Sequence, residues 1–351
     1  MKPTLALDPA LLAIPAITTN EQQVAGAIQI LIGVAVKLRS GCGCAFSLLS
    51  ETSTYLAKAG LYPAPQSISK MLADFDLAHV YTAEDIRRSV NDVLARAGHL
   101  ETLSSVEFMI PTSMVLAPDV LNLRIGPLRE ALELTLLHVA FAARSCHRTL
   151  IQALIADNLV SQEISLVADV DDIDPPLAPD QTTNVVQFES VVLSAASSEA
   201  FLENVPANIL WQHAEDDAQL ALAIKSAAEE IRKTSGCSAP NNNCERFCIG
   251  PNFVASLESC GASGDGPIAS LTLETCARVV AKMPKNEVHR FFKAVGQKNK
   301  VEDVTRSSDM AEAWRTHIGK AHEAMRLMFW RKTDGLIELA NIGPKSEMEI
   351  L

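Results

Sequence analysis

The chain is poor in aromatic residues and lacks the best-known enzyme motifs. Only 5% of its 351 residues are aromatic, with 3 Trp and 3 Tyr, so we expect an aliphatic, alanine-rich core. It contains no P-loop, no GxGxxG after a strand, no HExxH and no GxSxG. The sequence therefore gives no support to the common ATPase, dehydrogenase, zinc-protease or hydrolase classes.

Long hydrophobic runs are also missing. The nearest, residues 24–36, contains Gln29 and is shorter than the roughly 20 residues that a membrane-spanning helix needs. The first 16 residues hold one lysine, an early Asp8 and three prolines, which is unlike a signal peptide. We therefore expect a cytoplasmic protein that does not contact a membrane.

The composition indicates a packed globular chain. Hydrophobic residues make up 48% and charged residues 21% of it, and at roughly 100 to 200 residues per domain the length allows two or three domains. The aliphatic composition favours helices. We therefore predict a mainly α fold, a multi-helical body followed by a small C-terminal α+β module made of a helix and a β-hairpin.

The strongest periodic pattern lies in residues 127–158. One apolar residue recurs at every step of three or four, which predicts one long helix beginning at Pro127; the residues are Leu128, Leu132, Leu136, Val139, Ala143, Cys146, Leu150 and Leu154. Such a helix serves as the spine of a bundle or as a surface for another chain. We expect it to bind a protein partner or a second copy of the chain.

Changes in composition suggest four regions. The predicted boundaries are a helical domain at 1–160, an acidic Pro-rich connector at 161–186, a helical region with a Cys-bearing loop at 187–268, and a basic α+β module at 269–351. Further helices are expected over 20–38, 66–76, 83–98, 186–204 and 207–234.

Basic residues are concentrated in the C-terminal part of the chain. The net charge is −12, yet between Lys282 and Lys332 there are 12 Lys and Arg against 6 Asp and Glu, with three histidines interspersed. A basic module on an acidic chain attracts phosphates, or docks on an acidic protein surface. The candidate nucleic-acid-binding residues are Lys293, Lys298, Lys300, Arg315, Lys320, Arg326, Arg331 and Lys332.

The end of this module has a recognisable pattern. Residues 307–325 are predicted to form a helix, residues 326–331 and 336–342 alternate as strands do, and Asp334-Gly335 is a strong hairpin turn. Residues 322–347 resemble the last two strands of small RelE/ParE-type toxins, in Arg326-Leu327-Met328-Phe329 and in Ile342-Gly343-Pro344-Lys345. The resemblance implies a ribonuclease whose candidate residues are Arg315, His317, Lys320, His322, Arg326 and Arg331.

The eight cysteines leave three alternatives open. Four of them, Cys237, Cys244, Cys248 and Cys260, cluster in a loop-like stretch, but only Cys244 and Cys248 have the spacing of a zinc ligand pair. Ordinary reduced thiols, a zinc site formed by these four, and a disulfide all fit the spacing.

Three functions follow from these observations. The first is an intracellular helical interaction or assembly protein, oligomeric, whose basic module binds RNA, DNA or an acidic protein surface without a cofactor. The second is a metal-independent RNase restrained by the acidic N-terminal body, with His322, Arg326 and Arg315 as catalytic residues. The third is a zinc-stabilised regulatory protein. Enzyme activity is left open by the sequence.

Overall fold

The computed structural model divides into two compact units, Met1–Val205 and Pro206–Leu351. The structure describes residues 2–13, 20–41, 43–145, 148–156, 160–174, 186–236, 244–295, 300–319, 325–347 and 349–350. Each unit contains a β-sheet with packed helices.

The first unit alternates strands and helices. In chain order its elements are β1 (Thr4–Leu7), α1 (Glu21–Ser40), β2 (Ala45–Leu48), α2 (Thr52–Lys58), α3 (Pro65–Asp74), α4 (Ala83–Arg96), β3 (Gly98–His99), α5 (Leu100–Ser104), β4 (Phe108–Ala117), α6 (Pro127–Ser145), β5 (Ile151–Leu154), β6 (Gln162–Asp174), β7 (Val186–Ser194) and α7 (Ser198–Glu203).

These strands form one seven-stranded mixed sheet in the order β3-β2-β1-β5-β7-β6-β4. Strands β3, β2, β1, β5 and β7 run parallel to one another, whereas β6 pairs antiparallel with both β7 and β4. The four residues of β1 are all buried, as are the four of β5. Strands buried on both faces consist of continuous apolar runs, which is the pattern of a parallel sheet covered by helices on both sides.

Helix α6 covers one face of this sheet. Its buried residues Leu132, Leu136 and Phe141 share a hydrophobic cluster with Ala6 of β1 and Ile164 of β6. The apolar stripe that predicted a partner-binding helix therefore packs within its own unit.

The second unit is a sheet with helices packed beside it. Its elements are α8 (Ala207–Gln212), α9 (Asp217–Thr234), β8 (Phe247–Ile249), α10 (Phe253–Ser259), α11 (Ala269–Val280), β9 (Val288–Arg290), β10 (Phe292–Val295), β11 (Lys300–Asp303), β12 (Glu312–His317), β13 (Arg326–Arg331) and β14 (Ile337–Gly343). The five-stranded sheet has the order β8-β14-β13-β12-β9, and β10 pairs with β11 separately.

The prediction of a mainly α fold is wrong, because both units are built on sheets and the chain is an α/β protein. The predicted helix over 127–158 ends at Ser145, and Ile151–Leu154 forms the buried strand β5. The predicted acidic connector begins with the 13-residue strand β6, and the first nine residues of the helix expected over 186–204 form strand β7, while Ser198–Glu203 is helical. A short apolar run fits a buried strand as well as a helix, so periodicity alone did not separate them.

The predicted C-terminal helix is also wrong, whereas the hairpin is confirmed. Residues 312–317 form strand β12, which pairs antiparallel with β13. Strands β13 and β14 pair antiparallel across the turn at Asp334-Gly335, where Gly335 adopts a φ of 81°. Glycine suits that turn because a positive φ is strained for residues that have a Cβ.

Helix α1 is the one described helix that is long and apolar enough to cross a membrane, by length and composition alone. It lies in the N-terminal part of the chain, and its Val24, Ile28 and Leu31 are buried while Gln29 is exposed. The helix packs along α4 within the first unit.

A buried ion pair joins the ends of two neighbouring parallel strands. Asp8 directly follows β1, and its carboxylate accepts hydrogen bonds from the backbone N–H of Ala10 at 2.9 Å and of Ala156 at 3.1 Å. Arg124 donates from Nη2 to the same carboxylate at 2.8 Å and also to the Ala156 carbonyl. Both side chains are almost fully buried, at 0% exposed for Arg124 and 1% for Asp8.

A second buried polar contact lies between α5 and α6. The Nδ1 atom of His138 is 2.7 Å from the Ser104 hydroxyl, and His138 is 4% exposed. Burial lowers the pKa of His138 from 6.5 to about 4, against a smaller opposite effect from the Glu101 carboxylate. The imidazole is therefore neutral at pH 7.

Removing Arg124 should destabilise the first unit strongly. In Arg124→Ala the Asp8 carboxylate stays buried without its cation, so we expect the free energy of unfolding to fall by about 3 to 5 kcal/mol. Urea unfolding followed by circular dichroism measures this change. The matched control is Arg129→Ala, which breaks the exposed Arg129–Glu133 pair and should unfold close to wild type. Equal effects of the two variants would contradict the structural role of the buried pair.

Acid should destabilise the chain through His138. Between pH 6.5 and about 4 the unfolded state binds a proton at this residue and the folded state does not, so stability is lost as the pH falls through that window. The shift corresponds to roughly 3 kcal/mol. Unfolding midpoints measured from pH 7 to 4 should vary less in His138→Gln, whereas the exposed control His79→Gln should keep the wild-type slope.

Candidate anion-binding site

Four basic side chains share one face of the five-stranded sheet. His317 of β12 lies opposite Arg326 of β13, and Arg315 of β12 lies opposite Met328 of β13 and His289 of β9. Directly opposite residues in antiparallel strands point to the same face, and so do residues two apart on one strand. His289, Arg315, His317 and Arg326 therefore converge.

A fifth basic residue, Lys345, follows β14 on this side. Arg326 donates from Nη1 to the Lys345 carbonyl at 3.0 Å, which places the two residues side by side. We call His289, Arg315, His317, Arg326 and Lys345 the cationic cluster. Arg326 is 9% exposed, Arg315 and His317 are half-buried, and His289 and Lys345 are exposed.

Among the residues that the structure describes, few carboxylates lie close enough to pair with the cluster. Within the described part of the chain, no carboxylate forms an ion pair with Arg315, His317, Arg326 or Lys345; His289 has one, with the exposed Glu287 at 3.3 Å. Burial lowers the pKa of His317, and the charges of Arg326, Arg315, Lys345 and His289 lower it further. Burial and the charge of Arg326 also lower the pKa of Arg315.

Arg326 is the most buried member of the cluster. Its Nε atom is buried and has no hydrogen-bond partner, although its Nη1 atom binds the Lys345 carbonyl. Arg315 stacks its guanidinium over the ring of Phe291, 5.5 Å from the centroid, which fixes its position on the sheet. The arrangement presents oriented guanidinium donors to an anion.

Two of the predicted binding residues lie elsewhere in the second unit. Arg331 lies opposite Glu312 on the other face of the sheet and stacks over Trp314 at 4.7 Å. Lys332 is paired with Glu338 at 2.9 Å, and this hydrogen bond raises the pKa of Lys332. Glu338 also binds Arg306, so Lys332 belongs to a local ion-pair network.

The remaining predicted residues fall outside what the structure describes. Lys298, Lys320 and His322 lie outside the described residues, and so does Cys237. Lys293 lies in β10 and Lys300 in β11, but their side chains are not among those described.

Sequence reasoning named Arg315 and Arg326 as binding residues, and the resemblance to the toxins added His317. It did not include His289 and Lys345 as binding residues, and the structure brings both to the cluster. The sequence signal for this basic surface was the spacing of two residues between Arg315 and His317, which puts both on one face of a strand. The signal was missed because residues 307–325 were predicted to be helical, and in a helix this spacing puts the two residues on different faces.

The three described cysteines of the possible zinc set lie at separate positions around β14. Cys248 in β8 is in register with Glu338, Cys260 follows α10 with its Sγ atom 3.8 Å from the Ile342 carbonyl, and Cys244 precedes β8. Burial raises the pKa of Cys244 and of Cys248, which disfavours the thiolate. Among the described residues no group of three His, Cys, Asp or Glu is placed to hold a metal ion.

A cavity of about 560 Å³ lies between α11 and the end of β12. Its lining includes Leu271 and Thr275 of α11 and, from β12, Thr316 and His317, so the cavity adjoins the cationic cluster at His317. Its other charged residues are paired, since Arg278 binds Glu274 at 2.8 Å and Lys285 lies 3.9 Å from the same carboxylate. The cationic cluster is therefore the better candidate for binding an anion.

No protein-family model matches the chain, and no curated protein or solved structure matches it. The interpretation of the site rests on its geometry and charge.

Proposed function

We propose that the second unit binds nucleic acid by its phosphate groups, through the cationic cluster. The observation that carries this proposal is the Arg326 guanidinium, which is 9% exposed, has an unpartnered Nε and has no carboxylate paired with it among the described residues. A buried cation without a counter-ion is costly. A phosphate placed against it supplies both the negative charge and the hydrogen-bond acceptors.

The composition of the cluster favours phosphate. Two guanidiniums offer planar forks of N–H donors, which match phosphate oxygens in pairs. Arg315, Arg326 and Lys345 supply the positive charge, and His317, two residues or roughly 7 Å from Arg315 along β12, adds a hydrogen-bonding group beside them. An array of cations meets several anions along a chain better than it meets one carboxylate, so we propose nucleic acid in preference to an acidic protein surface. We place this activity in the cytoplasm.

Loss of the cluster should weaken RNA binding and its salt dependence. We expect the full chain to bind a labelled 20-nucleotide RNA with an affinity that falls steeply with salt, because each neutralised phosphate of a single strand contributes about −0.7 to the slope of log K against log salt. Arg315→Ala and Arg326→Ala should each lower the affinity and reduce the magnitude of that slope by about 0.7. Fluorescence anisotropy across a salt series measures both quantities.

The matched controls for this measurement are single cations of the same unit. Lys233→Ala removes an exposed charge at the end of α9, and Lys332→Ala removes a paired one. Both should bind as wild type does. Tighter binding of poly-glutamate than of RNA would instead assign the cluster to an acidic protein surface, and binding that ignores Arg326 would overturn the proposal.

A second candidate function at the same site is RNA cleavage. The observation that favours it is His317, which lies next to Arg315 and Arg326 and whose pKa is lowered by burial and by the surrounding positive charges. A neutral imidazole can accept the proton of a ribose 2′-hydroxyl while that oxygen attacks the adjacent phosphorus, and the guanidiniums stabilise the charge on the phosphate oxygens. The bond between phosphorus and the 5′-oxygen breaks and the leaving oxygen takes a proton from water, so the products are a 2′,3′-cyclic phosphate and a new 5′-hydroxyl.

Cleavage predicts a product that binding alone does not. With EDTA present, the full chain should shorten a labelled RNA to fragments ending in 2′,3′-cyclic phosphate, and DNA of the same sequence should stay intact because it lacks the 2′-hydroxyl. His317→Ala should slow this by about 100-fold or more while changing RNA affinity little. Gel analysis after hours of incubation checks it, and intact RNA would leave the site as a binding site.

A further inference from the structure

Strand β4 is an exposed edge of the seven-stranded sheet. It pairs with β6 on one side and is the last strand of the sheet on the other, so no described strand pairs with its outer backbone groups. Several of its apolar side chains are open to solvent, with exposed fractions of 54% for Phe108, 42% for Ile110 and 67% for Val115. Val167 of the neighbouring β6 lies opposite Val115 and is 37% exposed.

The other sheet edges that the structure describes are short. The opposite edge of the same sheet, β3, has 2 residues, and the edges of the five-stranded sheet, β8 and β9, have 3 each. The strands of the two-stranded sheet have 4 each. Short edge strands are a usual protection against unwanted pairing between chains. With its 10 residues, β4 has no such protection.

Charge also fails to protect β4. Its sequence, FMIPTSMVLA, contains no charged residue, although charges on an edge strand are the common means of preventing association. Its neighbour β6 contains five acidic residues. A strand that pairs with its own copy must avoid like charges facing each other across the symmetry axis, and β4 meets that condition.

We propose that β4 pairs antiparallel with β4 of a second copy of this chain, about a twofold axis between Thr112 and Ser113. In this register Ile110 of each copy lies opposite Val115 of the other. Ile110 and Val115 are five residues apart, but the register shifts between Pro111 and Ser113. Their partners on β6, Asp171 and Val167, are four residues apart, so Ile110 and Val115 point to the same face of the sheet. Opposite residues of an antiparallel pair share a face, so both exposed side chains cover each other, twice by symmetry.

This seam joins two seven-stranded sheets into one of fourteen strands. Pro111 has no N–H and donates nothing to it, which lowers the number of hydrogen bonds. A single strand pair is small for a protein interface, and small interfaces belong to weak complexes. We therefore expect a dimer with a dissociation constant in the micromolar range.

The test is the mass of the full chain in solution from about 1 to 200 µM, by sedimentation equilibrium. Wild type should change from monomer to dimer across this range. Val115→Lys puts a charge into the seam opposite Ile110 and should raise the dissociation constant tenfold or more. The matched control is Val80→Lys, at an exposed apolar residue of the same unit outside the sheet (58% exposed), which should dimerise as wild type does.

The register is tested by rescue. In the double variant Ile110→Asp with Val115→Lys, opposite charges face each other in both halves of the seam, so the dimer should return. A wild-type chain that stays monomeric throughout overturns the proposal and leaves β4 to a foreign strand. A dimer that ignores Val115→Lys, or a double variant that stays monomeric, overturns the pairing of β4 in this register.

Discussion

Two neighbouring parallel strands, β1 and β5, end at the same carboxylate. Asp8 binds the backbone N–H of Ala10 and of Ala156, and Arg124 neutralises it from a third segment of the chain. In α/β sheets the crevice beyond the strand ends, where the connections diverge to the two faces, is the usual place for a ligand. Here the Arg124 side chain lies at that position and pairs with Asp8. The ends of β1 and β5 are therefore joined at a place that other α/β sheets leave open for a ligand.

The sequence predicted some elements well because their local signals were strong. Helices α1, α3 and α4 lie where periodicity placed them, and α1 and α4 begin at Asn20 and Thr82, whose side chains cap the first turn. The strands β1, β2 and β5 were missed because each has only four residues, mostly apolar and buried on both faces of the sheet, so there is no alternation to detect. Strand β6 was mistaken for a connector because its solvent-facing acids resemble those of a linker. What decides these cases is burial by distant parts of the chain, which one sequence does not display.

The candidate site was half visible before the fold was known. The excess of basic residues after Lys282 marks the region in which the cluster lies, and Arg315 and Arg326 were both among the predicted binding residues that the structure brings together. Pairing across strands determined the rest, since His289 joins Arg315 from β9 and Lys345 reaches Arg326 from beyond β14. Pairing also removed Arg331, which faces the other way. The difference between a solvated cation and an unpaired one depends on carboxylate positions, and only the fold fixes them.

The length of β4 has a consequence for synthesis of the chain. Its partner β6 ends at Asp174, whereas β4 ends at Ala117, and ribosomes add roughly 5 to 20 residues per second. An uncharged apolar strand therefore emerges several seconds before the strand that will pair with it exists. During that interval β4 can associate with other nascent chains on the same messenger RNA. It can also bind a chaperone that recognises extended apolar peptides.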